Sequence, residues 1–89
     1  MAFQAKDLSV IAYANGFTLW HYATADAAAS VDTAGYFNDA ADMLRRGDMI
    51  LANTDTDGAF VSGIFHVSGN DGTTVDVDDL TQVGATDAD

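Results

Sequence analysis

The chain has no cysteine, no glutamate, and only three basic residues, Lys6, Arg45 and Arg46, among 89 positions. Without cysteine there is no disulfide framework, no thiolate metal site and no cysteine nucleophile. A domain this short hides only about 60% of the surface its unfolded chain exposes. With covalent staples excluded, oligomerisation or docking onto a larger body is the remaining source of extra stability. The acidic side of the balance is fourteen aspartates, giving a formal net charge of −11. Binding a phosphate backbone needs clustered Lys or Arg to displace counterions, so no nucleic-acid partner is expected. No apolar run is long enough to span a bilayer, and "MAFQAKDLSV" has neither the apolar stretch nor the basic leader of a signal peptide. No membrane role and no secretion by that route are expected.

What is present is apolar: 48% of the residues, too many for a disordered acidic tail. "DLSVIAYAN" and "FTLWHY" meet at Asn15-Gly16, the dipeptide best suited to a tight hairpin, which predicts strands over Leu8 to Ala14 and Phe17 to Ala23. The second strand carries large groups on both faces, Phe17, Leu19 and His21 on one and Thr18, Trp20 and Tyr22 on the other. It is expected to be central, or covered on its second face by a partner. Tyr36, Phe37, Ala40, Ala41 and Leu44 then recur at helical spacing, with Asp32 or Thr33 as cap and Gly47 as stop. "DMILAN", "AFVSGIFHVS" and "TTVDVDDL" predict three more strands, separated by Asp/Gly-rich turns.

The expected fold class is therefore α+β, a small antiparallel β roll or barrel of about five strands with one helix around residues 34–46. An N-terminal arm at 1–7, a single domain at 8–81 and a frayed acidic tail at 82–89 complete the expected organisation.

The motifs point away from chemistry. In "NTDTDG", Asn53, Asp55, Asp57 and Gly58 fill the opening positions of a calcium loop, but Ile64 stands at the twelfth, where a bidentate carboxylate is needed. A hairpin connection is the simpler reading. His21 and His66 alternate with apolar neighbours on strands, and nothing in their spacing joins them into a zinc site. Ser9, Ser30, Ser62 and Ser68 lie outside any G-x-S-x-G elbow, and no glycine-rich phosphate cradle ends in lysine. No catalytic residue, cofactor or metal is expected. The aromatics Phe17, Trp20, Tyr22, Tyr36, Phe37, Phe60 and Phe65 supply a core, with a surplus available for a subunit contact.

"LSVIAYANGFTLWHYATAD" followed by "GYFNDAADMLRRGDMILAN", covering roughly residues 8 to 53, resembles short structural proteins of tailed-bacteriophage virions, in particular the capsid decoration or cement group. The resemblance implies a non-enzymatic protein on the outer surface of the assembled head, often a homotrimer, with the major capsid protein as partner. An acidic surface suits the outside of a DNA-filled shell. Docking is expected through the arm and its Phe3, with Trp20, Tyr22 and Phe60 as further interface residues. A head-fibre or tail-tip module, or a small calcium- or ligand-binding domain, are the alternatives.

Overall fold

The computed structural model describes residues 3–84, and its first hairpin turns at the Asn-Gly pair. Asn15 and Gly16 take positive φ of 53° and 83°, the twist that lets a two-residue turn join right-twisted strands. The turn links β1 (Leu8–Ala14) to β2 (Phe17–Ala23), as their sequences predict. After β2 come a short helix α1 (Ala28–Val31) and a 3-10 turn (Asn38–Ala40), then β3 (Met49–Thr54), β4 (Val61–Asn70), β5 (Val75–Val77) and β6 (Thr81–Gln82). The strands lie in the order β1-β2-β3-β4-β5, with β6 beside β4.

Two features correct the expected antiparallel roll or barrel. β2 and β3 run parallel, with Trp20 opposite Ile50 and Tyr22 opposite Ala52, so the sheet is mixed. It also does not close, and β1 remains an edge. The cause is the crossover between β2 and β3, which is long enough to return the chain to the end where β2 began, as a parallel connection requires. The result is a largely β domain.

The helix expected at 34–46 is not there. Gly35 has a φ of 92°, and the segment advances by 3-10 steps such as Ala40 N–H to Phe37 O and Met43 N–H to Ala40 O. Tertiary partners capture the groups a helix would use. Asn38 Oδ1 accepts the Val75 N–H at 2.9 Å, and the Asn70 amide donates to the Ala41 and Leu44 carbonyls. Tight turns of about three residues still place Phe37, Ala40 and Leu44 on one buried face, which explains the helical spacing.

That crossover covers one face of the sheet. Thr18, Trp20 and Tyr22 of β2, Ile50 and Ala52 of β3, and Phe65 and Val67 of β4 point into the core and meet Val31, Phe37, Leu44, Val75 and Val77. Phe3 closes the core from the N-terminal side, stacked on Tyr22 with ring centroids 5.6 Å apart and set edge-on to Phe37 at 5.5 Å. Burying a side chain of that size stabilises by roughly 2 kcal/mol. Of the expected arm, Met1 and Ala2 lie outside the described residues, as do residues 85–89 of the expected tail. Gln82, assigned to that tail, belongs to β6, and the Val83 N–H donates to Ser62 O.

Candidate functional site

The arrangement of charge is the most informative property of the surface. β1, β2, β3 and β4 contain no Asp, Lys or Arg, so every formal charge of this acidic chain lies in turns, in the crossover, at β5 or at the ends. Such strands can leave apolar groups at the surface without placing a carboxylate beside them.

Two surfaces whose strand residues carry no Asp, Lys or Arg result. The first is the sheet face opposite the crossover, where Phe17, Leu19, Leu51 and Ile64 are half-buried and Met49 is exposed. A shallow depression of about 250 Å³ lies on this face, lined by His21, Leu51, Asn53, Ser62 and Val83. Its polar floor is already paired, since Ser62 Oγ donates to Asn53 Oδ1 at 2.6 Å. The second surface is β1 itself. From Ser9 to Ala14 every residue is exposed, and Val10, Ile11 and Tyr13 keep 55%, 50% and 62% of their surface in solvent.

The expected interface residues divide. Phe3, Trp20 and Tyr22 are in the core, which removes them from any surface role; ring stacking holds Phe3, and hydrogen bonding explains the placement of Trp20 and Tyr22. The Gln4 N–H donates to Tyr22 Oη, Tyr22 and Tyr36 hydroxyls lie 2.9 Å apart, and Tyr36 donates to Asp26 Oδ2 at 2.7 Å. Burial, and then the bonds to Tyr22 and Asp26, push the Tyr36 phenol above its usual pKa, so it remains a donor. Trp20 Nε1 donates to the buried Asp48 Oδ2 at 3.1 Å, while Asp48 Oδ1 accepts the Thr18 N–H. Phe60 alone of the four is exposed, at 55%, and it stands at a positive φ of 60° that a bulky side chain seldom adopts.

The "TDTDG" segment forms the β3–β4 hairpin connection. Asp55 directs one carboxylate oxygen at its own loop, accepting the Ala59 N–H at 3.1 Å, and its carbonyl accepts the Gly58 and Phe60 N–H groups. His21 faces the open side of the sheet, and His66 is paired with Asp78 at 3.0 Å, its Nδ1 to Oδ2. Among the described residues, no group of three His or Asp side chains could hold a metal ion, and no helix is long and apolar enough to cross a membrane.

No protein-family model matches the chain, and no curated protein or solved structure matches it significantly.

The exposure of β1 is the feature that the sequence concealed. "LSVIAYA" reads as an ordinary apolar strand, and only the topology leaves it at an edge with Ser9 to Ala14 exposed. Its complete lack of charge was the available signal.

Proposed function

We propose that this chain is a non-enzymatic contact protein, a decoration protein on the outer surface of a tailed-phage head, with the major capsid protein as its partner. The observation that carries the reading is the separation of charge from the strands: a chain of net charge −11 keeps its first four strands free of charge and exposes Val10, Ile11, Tyr13 and Phe60. Uncharged apolar patches rimmed by polar residues fit protein contact. Together with the resemblance over residues 8 to 53, this favours docking over catalysis. The acidic remainder faces solvent, away from packaged DNA, where repulsion costs least.

The mechanism is additive contact. A protein that touches several capsid subunits makes each later contact intramolecular, so modest contacts sum to tight binding. Because such a ligand binds the assembled lattice and not the free subunit, it stabilises the lattice by mass action.

Shells assembled without this protein should take it up from solution, and unassembled capsid protein should not. Binding to neither, or recovery of the protein with detached tails or fibres, would replace this reading with the fibre or tail-tip one.

A further inference from the structure

We propose that Asn15 is a self-modification site, where the backbone nitrogen of Gly16 displaces ammonia from the Asn15 carboxamide and water then leaves aspartate or its β-linked isomer in the hairpin turn. The inference is independent of the virion reading.

The chain has four asparagines, and the fold occupies the side chains of three. Asn38 Oδ1 accepts the Val75 N–H, and Asn53 Oδ1 accepts the Ser62 hydroxyl. The Asn70 side chain donates to the Ala41 and Leu44 carbonyls and accepts the Gly72 N–H. Each of these carboxamides must break a hydrogen bond before it can turn toward the next peptide nitrogen. The exposed Asn15 side chain has no hydrogen-bond partner among the described residues.

The attacking nitrogen is equally free. Asp57 and Asp71 also precede glycines, but the Gly58 N–H donates to Asp55 O and the Gly72 N–H to Asn70 Oδ1. The Gly16 N–H donates to no acceptor among the described residues, since the ladder closes on Ala14 and Phe17 and leaves the two turn residues outside it. Ring closure needs rotation about the Cα–C bond of Asn15. That rotation meets open space: apart from chain neighbours, no heavy atom lies within 4 Å of where a Cβ on Gly16 would stand.

The reaction uses only water and its hydroxide. The Gly16 amide gives up its proton and its nitrogen bonds to Asn15 Cγ, while the bond from Cγ to the carboxamide nitrogen breaks and ammonia leaves. A five-membered imide remains. Hydrolysis at the Cγ carbonyl yields aspartate, and hydrolysis at the main-chain carbonyl yields the β-linked isomer. Either product places a carboxylate at the tip of a hairpin whose two strands carry none. The β-linked product also inserts a methylene into the backbone of a turn whose length fixes the register of β1 on β2, so it loosens that edge.

The test is incubation of the full chain in mildly alkaline buffer, with mass mapping of all four asparagines over time and isoaspartyl methyltransferase as the probe for the β-linked product. Asn15 should convert about tenfold or more faster than Asn38, Asn53 or Asn70, because its reacting groups alone are free to meet within one molecule. Asn15→Ser removes the carboxamide and should abolish methyl acceptance. Freshly prepared Asn15→Asp carries the new charge without the extra methylene, so it should keep the amide-exchange protection of the β1–β2 ladder that the β-linked form loses. An Asn15 that stays intact, equal rates at all four asparagines, methyl acceptance that survives in Asn15→Ser, or full ladder protection in the β-linked form would each overturn the inference.

Discussion

Asp48 shows how a single buried carboxylate organises this domain. It is 1% exposed, and it accepts the Thr18 N–H, the Trp20 indole N–H and the Arg45 N–H at 3.0–3.1 Å, joining β2 to the end of the crossover where β3 begins. Replacing it with alanine leaves the buried Thr18 and Trp20 donors without an acceptor. Hydrogen bonds to charged groups contribute roughly 1.5–3 kcal/mol, so Asp48→Ala should cost about 3 kcal/mol or more, read as a lower urea midpoint. A loss below half a kcal/mol would show that water replaces the carboxylate. Asp32 acts in the opposite sense. Partial burial, and then the neighbouring Asp79 and Asp76, hold its pKa above the ordinary carboxylate value. A raised folded-state pKa means that the protonated form stabilises the fold below the unfolded-state pKa, and that this contribution is lost as pH rises through the folded one. Asp32→Asn should therefore be more stable than wild type at neutral pH, by roughly half a kcal/mol given its exposure. The gain should vanish below the carboxylate range, and a gain that persists there would contradict the repulsion account.

At the scale of elements, the sheet depends on one close approach. A Cβ on Gly63 would lie 2.5 Å from Thr81 O and 2.6 Å from Leu80 Cγ, so glycine is what allows the β6 segment to lie against β4. Gly63→Ala should displace that segment at a cost of about 1–3 kcal/mol. The amide of Val83, which donates to Ser62 O, should lose protection from hydrogen exchange before the rest of the sheet does. Unchanged protection would mean that the segment shifts without detaching. The β1–β2 hairpin was legible in the sequence because Asn15-Gly16 encodes its turn locally and apolar runs flank it. β3, β4 and β5 were legible within a few residues from the Asp/Gly breaks between them. The crossover was not, because its shape is set by distant partners. Asn70 and Val75 engage its carbonyls and Asn38, and such contacts override a helical period. α1 is a single turn of small residues that leaves no helical period, and β6 is too short to leave a pattern. Of the four interface residues, the sequence marked them as large and apolar but could not separate Phe60 from the three in the core. That distinction depends on which sheet face the crossover covers.

At the scale of the whole molecule, an elongated body of 45 × 30 × 21 Å keeps charge off its first four strands and exposes apolar side chains on β1 and β3 as well as at Met43, Phe60 and Val83. Charge on such a body governs solubility and the approach of partners, while the uncharged strands govern what stays bound. The proposed role rests on the resemblance over residues 8 to 53 together with that division: under it, a small acidic protein attaches through its apolar surface and reinforces a larger shell. The most direct test is the temperature at which particles release their DNA, compared between virions with and without this protein. The account predicts that particles lacking it still assemble but release DNA at a lower temperature, and that adding the purified protein restores the difference in proportion to occupancy. Equal release temperatures, with the purified protein bound and without effect, would contradict it.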